Sequence, residues 1–250
     1  MHALSKARIV QRNRTVGFRV WMMLSVLSSG CRLPTHNVSS EAELREARTH
    51  YPAHWWAEVT KENAPAWEIF AQEAKPGEVI LSKRNELGLL SNFAATPFTF
   101  HEKCYASLEG FWQMMKYPED DDDARAKFPG LEWRYSRTQV AQMSGFEANR
   151  AGKLGEANMK LMGIGWVTFE GRRMEYRPVH PGEHYQLIVA ATREKVLQNP
   201  EVKRVLLATG DLVFKPDHHQ EPNAPAAWKY FEILMRLRAE QQKTSQAETF

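Results

Sequence analysis

The chain has 250 residues, of which 43% are hydrophobic and 25% charged, ordinary values for a soluble globular protein with a sizeable core and enough length for one domain plus extensions. Its two cysteines, Cys31 and Cys104, exclude a disulfide framework and a cysteine metal cluster, and make a reducing compartment the default. The formal charge of +3 is uneven: residues 1–40 hold six Lys and Arg and no acid, leaving 27 basic against 30 acidic residues in 41–250. A non-specific nucleic-acid protein carries its basic stripe on the fold, so any nucleic-acid partner here must be read by a pocket.

Taken in order, residues 1–19 are basic and polar and lead into an apolar run ending Ser28-Ser29-Gly30-Cys31. That run imitates a secretory or lipoprotein signal, but it is too short to span a bilayer and lacks the leucine such a site carries at Ser28, so 1–40 reads as a disordered extension. Ser40, followed by Glu41, Glu43 and Glu46, predicts a helix start that Tyr51-Pro52 interrupts. A second helical piece is expected over about residues 53–74, with Trp55, Trp56, Val59, Trp67, Ile69 and Phe70 packing on the domain C-terminal to it. Pro76-Gly77 predicts a turn into a strand at Glu78–Leu81. Gly88–Phe93 reads as a loop, and Phe98 and Phe100 flank Thr99 as in a half-buried strand.

Ser107–Tyr117 separates into two faces as a helix. Leu108, Phe111, Trp112 and Met115 form an apolar stripe, and Glu109, Gln113 and Lys116 a polar one beside it. Ser107 is a plausible N-cap, and Pro118 stops the helix. Glu109 falls in the first turn, where the dipole favours an ionised carboxylate, while burial against Phe111 or Trp112 pushes the other way. By spacing alone, the polar stripe reads as a solvated face, with a functional Glu109 as the alternative.

Asp120–Asp123 reads as a solvated loop rather than a metal site. Residues 137–162 predict an amphipathic helical region broken at Gly145, with Arg150, Lys153 and Lys160 as its basic members. Trp166–Tyr176 predicts a hairpin around Glu170-Gly171-Arg172, and helices at about 182–198 and 200–208 meet at Asn199-Pro200. Thr209-Gly210-Asp211 reads as a glycine C-cap. Residues 212–227 read as a polar loop whose adjacent His218 and His219 make a weak metal pair. The last helix, about Pro225–Gln241, is expected to bury Trp228, Phe231, Leu234 and Met235 and to present Lys229, Arg236 and Arg238 outward.

Leu90-Ser91-Asn92-Phe93, Ser107–Gln113, Lys195 before Asn199-Pro200, Leu206–Asp211 and Ile233–Arg238 together resemble the ordered motifs of the YbiA-like, or NADAR, family over about residues 79–240. The resemblance implies a helix-rich α+β fold, a single domain with a small β-sheet. The expected divisions are a disordered extension 1–40, a helical extension 41–76, the domain 77–240 and a polar tail 241–250. It also implies hydrolysis of N-glycosidic bonds, either in riboflavin-pathway ribosylaminopyrimidine phosphates or between ADP-ribose and guanine. Glu109 then matches the family's glutamate, and Asn92, Phe93, Gln113 and Lys116 match neighbouring pocket positions. Trp166 matches the tryptophan of an Asp-Trp pair, and Asp217 and Glu221 are candidates for the acids of a later motif. The sequence departs from the pattern at Gly110, where histidine is usual, at Gly165, where aspartate is, and at Glu156, where arginine is common.

Breaking a ribosyl–nitrogen bond places positive charge on the sugar, which a carboxylate stabilises while accepting a proton from the attacking water. Glu109 is the candidate for both roles. Lys116 suits a phosphate, Asn92 and Gln113 suit hydroxyls or base edges, and Phe93, Trp112 or Trp166 suit stacking. The expectation is an N-glycosidase without metal or cofactor, acting in the cytoplasm on a nucleotide-like small molecule or ADP-ribosylated base, with modified nucleic acid a further partner and no membrane. Its alternatives are a non-catalytic ADP-ribose or nucleotide-binding module and a partner-binding protein acting through residues 53–70.

Overall fold

The structure, a computed structural model, describes residues 48–247. The basic extension, the signal-like run and the helix start at Ser40 lie outside the described residues.

Two hairpins form where two-residue turns match the twist of their strands. β1 (Glu78–Ile80) is followed by β2 (Phe98–Phe100), which pairs antiparallel with β3 (Lys103–Tyr105) through His101 and Glu102, both at positive φ. Phe98 and Phe100 are buried and Thr99 exposed, as the alternation predicts. Further on, β4 (Trp166–Phe169) and β5 (Arg172–Glu175) turn at Glu170-Gly171, again both at positive φ. β1 pairs with β6 (Val213–Lys215) in parallel, joining the two ends of the domain. The polar-loop reading of 212–227 misses β6, whose three residues are too few to show a period. β3, also three residues long, is likewise too short to show a period.

Helices supply the rest of this α+β fold: α1 (Leu108–Met114), α2 (Arg137–Ala141), α3 (Gly145–Leu161), α4 (Glu183–Gln198), α5 (Pro200–Ala208) and α6 (Tyr230–Ala247). The break at Gly145 and the junction at Asn199-Pro200 stand where the sequence places them. Gly210, at φ +50°, follows α5 after Thr209, where a left-handed residue ends the helix without strain.

All seven residues of α1 are buried. The spacing-only reading of a solvated Glu/Gln/Lys face therefore fails, because α3 covers that stripe while the apolar stripe enters the main core. Two glycines make such covering possible. A Cβ on Gly110 would overlap the Met143 carbonyl oxygen beyond α2, and a Cβ on Gly152 would overlap the Gln113 side chain.

Three expectations are corrected. Residues 53–74 form no continuous helix but short 3-10 turns at Ala53–Trp56, Lys61–Asn63 and Ala71–Glu73. Pro65 disfavours the helical region for Ala64, which is extended at φ −121°, ψ 138°. Trp55 and Trp56 do pack inward, donating to Glu86 Oε1 and the Glu78 carbonyl, whereas Trp67 is 46% exposed. At the other end, Ala226–Trp228 is a separate 3-10 turn, so Trp228 lies off the helix and is partly exposed, while α6 continues to Ala247. Arg238 is buried, not outward, donating to Thr209 Oγ1 and lying over the Phe214 ring. Among the described residues no helix is long and apolar enough to cross a membrane.

Candidate active site

The site is organised by three consecutive carbonyls, each tied to a different helix. Ser91 O accepts from Lys195 Nζ of α4 at 2.6 Å, Asn92 O from the Glu109 N–H of α1 at 2.9 Å, and Phe93 O from the Gly145 N–H of α3 at 3.0 Å. The short turn Ser91–Phe93 thereby fixes where α1 and α3 begin relative to each other. Ser107 Oγ caps α1 by accepting from Gly110 N–H at 2.9 Å and donates to Met143 O at 2.8 Å.

Glu109 is 5% exposed. Its Oε1 accepts from Gln113 Nε2 at 2.8 Å, one turn along α1, and from Asn149 Nδ2 of α3 at 3.3 Å. Oε2 has no hydrogen bond among the described residues. Burial raises the Glu109 pKa above the ordinary carboxylate value, outweighing the two amides and the positive fields of Lys116 and Lys83 that favour ionisation. Gln113 Oε1, in contrast, is buried without a partner among the described residues, close against Gly152.

Lys83, to which no local pattern in the sequence points, pairs with Asp217 and lies 5.4 Å from the Phe93 ring centroid and 5.7 Å from that of Trp67. Burial alone would raise the Asp217 carboxyl, but hydrogen bonds from His218 and Lys83 hold it below its ordinary value. Asp217 is thus joined to the Glu109 region through Lys83, and its own carbonyl accepts from Ile69 N–H at 2.8 Å. Asn92 is half-buried, and its side-chain amide makes no hydrogen bond among the described residues.

Other candidate residues face elsewhere. Lys116 is buried beside Glu109, but its ammonium donates to Gly152 O at 3.1 Å and Glu156 Oε2 at 3.2 Å and lies 4.8 Å from the Tyr176 ring centroid. Glu156, at a departure from the resembled pattern, also pairs with Arg177. Trp166 lies between the guanidiniums of Arg173 at 3.9 Å and Arg125 at 5.0 Å, neither of which contacts Glu109. Trp112 meets buried His184 edge to face at 5.3 Å, and burial, with Lys116 nearby, pushes that imidazole down to about 4. Glu221 is exposed and, among the described residues, pairs with His219. Asp123 pairs with buried Arg125, and among the described residues no three His, Cys, Asp or Glu converge as a metal-ligand set.

Asn149 and Lys83, which act on Glu109 by a hydrogen bond and a positive field, are residues that sequence reasoning misses. Asn149 carries a signal: it lies three residues before Gly152, the position through which α3 approaches Gln113.

Lys195 gives a pH-dependent stability that can be checked. Burial lowers its pKa from 10.5 to about 7. Between those values the unfolded chain holds a proton that the folded chain has shed, so stability should rise with pH across that window, by at most about 1.4 kcal/mol per unit. Urea unfolding from pH 7 to 10 should show this rise in wild type and lose most of it in Lys195→Met; equal slopes would show that the amine titrates normally.

No family model matches the chain, and no curated protein matches it. Among solved structures, the NMR structure of the E. coli protein YbiA is similar with a TM-score of 0.42 and 20% identity, over 67% of this chain and 84% of that one.

Proposed function

We propose that the chain is an N-glycosidase, hydrolysing the bond between a nitrogenous base and the ribose of a ribose phosphate or ADP-ribose group. The observation that carries this reading is Glu109: a buried carboxylate, one oxygen held by two amides and the other without a hydrogen bond among the described residues.

In the proposed reaction the ribosyl C1–nitrogen bond breaks with its electron pair leaving on the base. Positive charge develops on C1 and the ring oxygen, and ionised Glu109 faces it. Water then attacks C1 and loses a proton to Glu109 Oε2, which passes it to the departed base or to solvent. The Gln113 and Asn149 amides fix the carboxylate before the charge forms, so little reorganisation is needed. Asn92 offers its unpaired amide to sugar hydroxyls. Lys116, two of whose three donors are engaged, acts through its positive field on Glu109.

The raised pKa of Glu109 favours a second reading, a nucleotide or ADP-ribose binding module. A protonated carboxyl donates a hydrogen bond to a ligand but does not stabilise a cation.

The test is release of ribose 5-phosphate or ADP-ribose, followed by mass spectrometry, from ribosylaminopyrimidine phosphates and ADP-ribosylated guanine, with wild type and Glu109→Gln in parallel. Release that depends on Glu109 supports the enzyme; nucleotide binding without release from any substrate supports the binding module.

A further inference from the structure

Beside Glu109 lies a group of side chains that core packing does not explain. Phe146 is 55% exposed and Trp67 46% exposed, both large apolar rings left at the surface, and Phe93 is half-buried. The three belong to one group: Phe93 meets Phe146 edge to face at 5.3 Å, Phe146 lies 6.5 Å from Trp67, and the Lys83 ammonium approaches both Phe93 and Trp67.

Their position relative to Glu109 is set by α3. Phe146 precedes Asn149 by three residues, so the two side chains share one face of that helix, one turn apart. Asn149 holds the Glu109 carboxylate, which places the aromatic group about one helical pitch, roughly 5 Å, from it along α3. A base joined directly to a sugar carbon at Glu109 would lie within that distance of it. Trp67 is held there by main-chain contacts, since Glu68 bridges His218 and Ile69 N–H donates to Asp217 O. The segment before β1 is thus tied across the C-terminal part of the fold with its indole exposed.

We infer that Trp67, Phe93 and Phe146, with Lys83, form an aromatic platform against which the departing base packs. The inference rests on the proposed site at Glu109 and adds to it the leaving-group side. Aromatic faces stack on any base, and a lysine among them offers a donor to ring nitrogen or carbonyl acceptors. The exposure of Trp67 and Phe146 leaves the outer edge of such a base in water, so a base carried on a larger body fits as well as a free nucleotide.

The experiment is calorimetric titration with guanosine 5′-monophosphate and with ribose 5-phosphate, in a Glu109→Gln background so that no bond is cleaved, for Trp67→Ala, Trp67→Phe and Phe146→Ala. Trp67→Ala and Phe146→Ala should each weaken the nucleotide roughly 5- to 100-fold, leave ribose 5-phosphate within about twofold, and Trp67→Phe should restore most of the loss. Equal weakening of both ligands, nucleotide affinity unchanged by either alanine variant, or no nucleotide binding at all would each overturn the platform. The two readings fail separately. Nucleotide affinity indifferent to Trp67, with Glu109-dependent sugar release intact, removes the platform and keeps the glycosidase. Trp67-dependent nucleotide binding without sugar release from any substrate keeps the platform and removes the enzyme.

Discussion

Glu109→Gln is expected to lower sugar release about 10³-fold while the protein stays folded. The substitution keeps the shape, and a glutamine oxygen can still accept from Gln113 and Asn149, so the site floor should hold. What disappears is the negative charge opposite the developing cation and the base that takes the proton from water, an effect of about 10² to 10⁴. Stability should move the other way. A carboxyl whose folded-state pKa is raised contributes stability that falls as pH rises from its unfolded value to its folded one, because the folded chain keeps a proton the unfolded chain releases. The variant lacks that loss, so its melting temperature should match wild type in acid and exceed it at higher pH. Wild-type activity should correspondingly appear on an alkaline-rising limb placed above the ordinary carboxylate range. A variant that loses activity together with stability would assign Glu109 to the core instead.

Gly110→Ala is expected to destabilise the fold by about 3 kcal/mol or more, seen as a lower urea midpoint. In an open helix this change would stabilise by about 1 kcal/mol, so the sign itself is informative. Here the added methyl meets backbone: it would overlap Met143 O and lie 2.9 Å from Val140 O and 3.1 Å from Ala141 O. None of these can withdraw cheaply, since Met143 O accepts from Ser107 Oγ and Ala141 O from Ala106 N–H. Gly110→His, which inserts the residue usual in the resembled pattern, should prevent folding. An unchanged midpoint in Gly110→Ala would mean that α1 and the end of α2 can separate, and with them the cap that orients Glu109.

Much of this arrangement is legible wherever one local rule acts alone. Ser107 caps α1, the alternation Phe98-Thr99-Phe100 makes a strand, and Asn199-Pro200 divides two helices. The candidate carboxylate is also legible, as the polar position of the first turn. Its environment is not, because the period that puts Glu109, Gln113 and Lys116 on one face is the same whether water or another helix covers that face; the covering α3 comes from far along the chain. The aromatic segment 53–70 misleads for a related reason. Its tryptophans suggest one packed helix, but Pro65 breaks the segment, and Trp67 is left exposed beside Lys83. Asp217 can be picked out as an acid, but its partner Lys83 cannot, since nothing local links residues 134 apart in sequence.

That separation bears on how the protein is made. β1 has only β6 as its strand partner among the described residues, and Lys83 meets Asp217 across the same closure. Contacts this distant in sequence form late and slowly, because a long loop must close before either contact contributes. On the ribosome, α1 through α5 emerge before β6 does, so the helices that hold Glu109 can pack first while Lys83 waits for its acid. Assembly of the site should therefore lag behind helix formation. A chain halted before Val213 would carry the carboxylate and both its amides, and still lack the strand and the acid that set Lys83 beside them.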